Sequence, residues 1–116
     1  PMEIASIEMW QCRVYNELMI PLAMGFRHLH PAMSGMENQN KEYGEMQKKI
    51  AIKSLGYFNG VLAEAEFIAG DRYTFADIQM ITTTDFFIKL NQLNLSDYPE
   101  IERHSKLMSE RESFKA

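Results

Sequence analysis

Apolar residues recur along this chain at helical spacing, and no stretch alternates apolar and polar long enough to predict a strand. The first helical segment, Glu3 to Leu29, places Ile4, Ile7, Val14, Tyr15, Leu18, Leu22, Phe26 and Leu29 on one broad face. Pro21 falls inside it. Its missing amide and its clash with the carbonyl four residues back predict a kink or a broken helix. The opposite face mixes Met9, Trp10, Ile20 and Met24 with Arg13, Glu17 and Arg27, which reads as a second contact surface. His30 through Asn40 is polar and contains Ser34-Gly35 and Asn38-Gln39-Asn40, the composition of a helical-hairpin loop.

The second helix is expected from Lys41 to Ala65, with a core stripe of Tyr43, Ile50, Tyr57, Phe58, Val61 and Leu62. Gly56 and Gly60 cost it about 1 kcal/mol each in propensity, so they are expected to admit a close neighbour. The third helix has the clearest start. Thr74 is a good N-cap with Asp77 three residues on, a capping box with Asp in the usual Glu position, and Tyr73 and Ile78 occupy the staple positions. From Ile78 to Leu90 it is apolar on several sides, which predicts a central, mostly surrounded helix. The last helix starts near Pro99 and runs through Ile101, Leu107 and Met108 towards Phe114. The fold class is all-α, an orthogonal or up-down helical bundle forming a single domain over residues 1–116.

Composition narrows the class. Apolar residues at 46% and charged residues at 24% over 116 positions describe a globular chain of one-domain size. Twelve basic against sixteen acidic side chains leave a net charge of −4, which argues against a general nucleic-acid binder. Cys12 is the single cysteine, so no internal disulfide forms, and a reducing cytoplasm is the expected setting. The longest apolar run, Met19 to Phe26, falls far short of the roughly 20 residues that span a bilayer. Pro1-Met2-Glu3 lacks signal-peptide character.

The stretch Phe67-Ile68-Ala69-Gly70-Asp71-Arg72-Tyr73-Thr74-Phe75-Ala76-Asp77-Ile78 closely resembles the helix-start signature of the glutathione S-transferase C-terminal domain. The proline-interrupted first segment, Met9 to Arg13 continuing into Ile20-Pro21-Leu22 and Phe26-Arg27-His28, is similar too, most of all to bacterial members. So is the ending, Tyr98-Pro99-Glu100-Ile101 with Leu107 to Ser113. Two positions depart: His104 stands where the family usually has an aromatic residue, and Glu112 where it has proline, both expected at the periphery. The resemblance implies a two-domain parent, in which a thioredoxin-like domain, absent here, binds most of the glutathione co-substrate and activates its thiol. It also implies a homodimer, conjugation of glutathione to apolar electrophiles, and no catalytic residue in this chain. Similar helical domains also serve as non-catalytic assembly modules in translation factors and tRNA synthetases.

Candidate chemistry is sparse. His28 and His30 lie two apart and point about 200° from each other on a helix, so a cap pair favouring the helix dipole explains them better than a metal. Cys12 beside Arg13 reads as an ordinary buried or half-buried thiol. Asp77 reads as structural, and Asp85 either as a buried hydrogen-bonding group or as one reaching the surface. Trp10, Arg13 and Glu17 share a face. One reading pairs Arg13 with Glu17 under an exposed Trp10. The other closes a cleft against the missing domain, with Met9, Trp10 and Met24 lining an electrophile pocket and Arg13 meeting a carboxylate of glutathione or of a partner subunit.

Overall fold

The computed structural model describes residues 2–35, 38–91 and 93–110. Helix α1 (Met2–Val14) passes through a π-helical turn at Tyr15–Met19 into α2 (Ile20–Leu29). A 3-10 turn at Pro31–Met33 leads to α3 (Lys41–Glu64) and α4 (Phe75–Leu90), and a second at Leu95–Asp97 leads to α5 (Pro99–Ser109). Among the described residues β-type pairing is confined to one bridge, Phe67 to Gly70, closed by Gly70 at a φ of 131° that suits glycine alone. The fold is all-α. Phe114 and the Arg111, Glu112 and Ser113 of the ending motif lie outside the described residues.

Pro21 does not break its helix. The π turn ahead of it shifts the hydrogen-bond ladder, so that Ile20 N–H donates five residues back to Tyr15 O. Met19 and Ile20 keep helical dihedrals. A widened turn removes the usual reason for a break, the clash of the proline ring with the carbonyl four residues earlier.

Val14, Leu18 and Leu22 meet Ala51, Leu55, Phe58 and Leu62 of α3, and Met80, Ile88 and Ile101 complete the core. Of the expected α3 stripe, Phe58 and Leu62 are buried and Val61 is half-buried, but its other three members are displaced by one residue. Gly44, Ala51 and Phe58 face inward, whereas Tyr43, Ile50 and Tyr57, each one position and about 100° away, are exposed. Backbone approach decides the register: a Cβ on Gly44 would lie 2.8 Å from Leu29 Cγ and 2.9 Å from His28 Cβ. No atom lies within 4 Å of a Cβ built on Gly56 or Gly60, so Gly44, and not that pair, admits the neighbouring helix. Ile4 and Tyr15, expected in the first core face, are exposed as well. Helix α4 is less surrounded than expected, because Phe75 is 69% and Phe86 61% exposed.

Helices α3 and α5 cap each other. Tyr98, at the N-cap of α5, offers no side-chain cap, and Asn59 Oδ1 of α3 accepts from the Glu100 and Ile101 amides at 2.9 and 3.2 Å. In return Arg103 of α5 donates to the Leu62 and Ala65 carbonyls at the end of α3. A cation at a helix C-terminus also suits the dipole. Asn59→Ala is expected to cost about 0.5–2 kcal/mol in urea denaturation, the range for a lost cap; an unchanged midpoint would remove this role.

Asp77 does more than cap α4. The capping box with Thr74 is closed, with Thr74 N–H donating to Oδ2 at 2.9 Å. Oδ1 accepts from Ile68 N–H at 2.9 Å and contacts His104 Nε2 at 2.8 Å. Both side chains are buried. His104 is therefore no peripheral departure: α5 inserts it into the core, where a buried carboxylate supplies the hydrogen bond that its ring needs.

Candidate functional site

Arg13, one helical turn above Trp10 and one below Glu17, is the centre of the face singled out in the sequence. Its Nε and Nη2 donate to Glu17 at 2.8 and 3.2 Å, a bidentate pair that fixes the guanidinium. Nη1 donates to Tyr57 Oη of α3 at 2.8 Å. The guanidinium carbon lies 5.0 Å from the Trp10 ring centroid and 4.6 Å from that of Tyr57, within cation–π range of both. The hydrogen bonds, Glu17's first, raise the Arg13 pKa, and the same pair lowers that of Glu17. The intrahelical pairing is thus the arrangement found, extended across helices by Tyr57.

Trp10 meets the ring of buried Phe58 in a T-shaped contact and forms one wall of a groove of about 670 Å³. Gly56, Tyr57, Gly60, Val61 and Glu64 of α3 line it too, with Ala65, Ile68, Ala69 and Gly70 of the segment that follows. The lining is mainly apolar. Of the five expected cleft residues only Trp10 lines it. Arg13 and Glu17 stand beyond Trp10, Met9 is exposed, and half-buried Met24 lies past the π turn on α2.

A second apolar depression, about 390 Å³, runs between Ile7 of α1 and Tyr73, Phe75 and Ile78 at the start of α4. Arg72 borders it and pairs with Glu3. Ile7 was expected on the inward face of the first helix and Ile78 at a staple position with Tyr73, so the two were not joined into this face. Tyr57 was expected in the core stripe and Gly56 and Gly60 at a close helix approach, and nothing in local spacing tells which of two adjacent α3 stripes faces inward.

The remaining candidates take structural places. Cys12 is exposed rather than buried. Asp85 reaches the surface and accepts from Ser105 Oγ at 3.1 Å, tying α4 to α5. His28 and His30 each accept a backbone amide at Nδ1, so their positions answer to local hydrogen bonds as well as to the dipole. Among the described residues no three His, Cys, Asp or Glu side chains converge as a metal set would.

Trp10, the chain's one tryptophan, reports on this face. Glu17, with its pKa lowered in the fold, contributes fully above the unfolded carboxylate range, and that contribution is lost as pH falls through the lower folded value. With the side chains 30% and 44% exposed, solvent screening keeps the effect on stability to about 0–1 kcal/mol. Trp10 fluorescence is expected to change in that acid range and to stay flat in Glu17→Gln; the same titration in both would assign it elsewhere.

Known proteins share this architecture. The family described as "Glutathione S-transferase, C-terminal domain" matches residues 19–112. Glutathione S-transferase 2 of Saccharomyces cerevisiae is 36% identical over 83 residues, which are 70% of this chain and 36% of that protein. A probable glutathione S-transferase of Oryza sativa subsp. japonica is 26% identical over 117 residues, 97% of this chain and 52% of its own. The crystal structure of Gtt2 from Saccharomyces cerevisiae superposes with a TM-score of 0.89 at 31% identity, over 99% of this chain and 56% of that one. That of a Gtt2-class enzyme of Vibrio parahaemolyticus gives 0.85 at 26% identity, over 100% of this chain and 54% of that one. The chain thus spans between about a third and a little over half the length of these relatives, which come from yeast, plant and bacterium alike and single out no bacterial source. With the family's helix-start motif folded into the Asp77 hub and its helices superposed on theirs, the chain belongs to the glutathione S-transferase C-terminal domain family.

Proposed function

We propose that this chain is one helical domain, the C-terminal half of a cytoplasmic, two-domain glutathione transferase that conjugates glutathione to apolar electrophiles. The observation that carries this reading is the uncovered apolar face of α4 and α1. Phe75 and Phe86 of α4 and Ile4 of α1 present large apolar groups to water, and Phe75 lines the depression with Ile7 and Ile78, in a chain that spans about half of most of these relatives. A thioredoxin-like domain covering that side would bury them and bring the glutathione thiol to the helical wall. The groove at Trp10 supplies an adaptable apolar surface for the electrophile. Met9 and Met24 flank it at a distance, and Arg13 serves it first as the strut that sets Trp10 and Tyr57.

A second copy of the whole protein is assigned to α3. Tyr43, Met46, Ile50 and Tyr57 form a stripe at helical spacing and all are exposed, which suits an isologous interface.

The coding sequence upstream of residue 1 tests the reading directly. A thioredoxin-like domain there, and conjugating activity in the two-domain protein that falls on Phe75→Asp with Phe86→Asp, would support it. An inactive protein with another domain upstream would favour the non-catalytic assembly module.

A further inference from the structure

We propose that the groove beside Trp10 selects flat apolar ligands that end in an ammonium group, with Glu64 meeting the positive end. This rests on the reading of the groove as the electrophile surface and names the class of molecule it prefers. Glu64 is the one charged side chain among the described residues that line the groove, and it is exposed. Glu66, between the lining residues Ala65 and Ile68, is exposed as well and adds the same sign. The described cations around it are engaged or distant. Arg103, which reaches the Ala65 carbonyl, pairs with Glu100, and Arg72, two residues after Gly70, pairs with Glu3. Lys53 precedes Glu64 by eleven residues on α3, about 16 Å along the helix. At the other end the Trp10 and Tyr57 rings already hold the Arg13 guanidinium, whose charge Glu17 matches. A ligand cation is repelled there, so the apolar part takes that end and the ammonium takes the Glu64 end.

The floor of the groove accounts for the flat apolar part. Gly56 and Gly60 lie one turn apart inside α3, where glycine disfavours the helix. A Cβ built on either meets no atom within 4 Å, so no described neighbour in this fold requires them. They leave bare helix backbone on which a ring can lie, with Trp10 as the wall beside it. Gly56 to Glu64 is eight residues, about 12 Å. That is the length of a two-ring molecule with a one-carbon ammonium tail. Burial of the rings supplies most of the affinity, and the carboxylate supplies the choice between ligands of equal shape.

Nuclear magnetic resonance titration of the full 116-residue chain tests this with three probes of one shape: naphthylmethylammonium, naphthylmethanol and naphthylacetate. Shifts are read at the Trp10 indole N–H and at the Gly56 and Gly60 amides. The ammonium is expected to bind about fivefold tighter than the carboxylate at low salt, the size of an exposed charge contact of either sign, with the alcohol between them. Salt is expected to narrow the spread. Glu64→Gln is expected to bring the three affinities together. Gly60→Leu fills the groove and is expected to lose all three probes, while its urea midpoint does not fall, because leucine favours the helix and its Cβ meets no atom within 4 Å. Equal or tighter binding of the carboxylate, shifts centred on Phe75 and Ile78 instead, a ranking that survives Glu64→Gln, or no binding of the ammonium would overturn the proposal. Those results leave the upstream domain and the conjugating activity of the two-domain protein to stand or fall separately, and failure of these leaves the ranking of probes on this chain intact.

Discussion

Asp77→Ala is expected to destabilise the chain by about 3–5 kcal/mol, well beyond the roughly 0.5–2 kcal/mol of a helix cap. The carboxylate joins three segments. Thr74 N–H at the start of α4, Ile68 N–H in the preceding turn and the His104 ring of α5 all point at it, and it is wholly buried. Alanine leaves these groups facing apolar surroundings with no partner, at about 1–3 kcal/mol for each buried donor left bare. Asp77→Asn keeps one acceptor oxygen but turns an amide donor towards one of the other donors, so an intermediate loss is expected. Urea denaturation of the three proteins orders them. A loss for Asp77→Ala inside the ordinary cap range would show that the contacts to Ile68 and His104 contribute nothing net. His104→Phe separates the contributions: it removes one bond and keeps the volume, and is expected to cost less than Asp77→Ala.

The isolated 116-residue chain is expected neither to conjugate glutathione to a chromogenic aryl halide nor to bind glutathione tightly. On the proposed reading, the group that activates the thiol belongs to the other domain. Three of Arg13's five N–H groups are already engaged by Glu17 and Tyr57. What remains for a tripeptide is too little to offset its lost rigid-body freedom. The exposed Phe75 and Phe86 are expected to drive self-association on size-exclusion chromatography, and Phe75→Asp with Phe86→Asp to reduce it. Turnover by the purified chain, or a monomer at all concentrations, would contradict one half of this prediction each.

Helical class and the Thr74–Asp77 box were legible before the structure because each rests on neighbours within about four residues, and segment order and the family resemblance because they are read along the chain, the latter from stretches such as Phe67 to Ile78. A capping box is local by construction, and 3.6-residue periodicity survives without knowledge of what lies opposite. The candidate site was legible only in part. Trp10, Arg13 and Glu17 share a face by spacing alone, but Tyr57 joins them from 44 positions beyond Arg13. Reading Tyr57 as core was a reasonable use of hydrophobicity that close packing overruled.

What the sequence determined by itself, then, is where helices begin and that they pack by apolar faces, since capping and periodicity act over a turn or two. Which face turns inward was left to the tertiary structure. Gly44 against Leu29 sets the α3 register, the π turn carries the chain through Pro21, and α5 buries His104 on Asp77. Each of these depends on the shape and hydrogen-bonding needs of a distant segment, and such complementarity exists only once both segments are folded together.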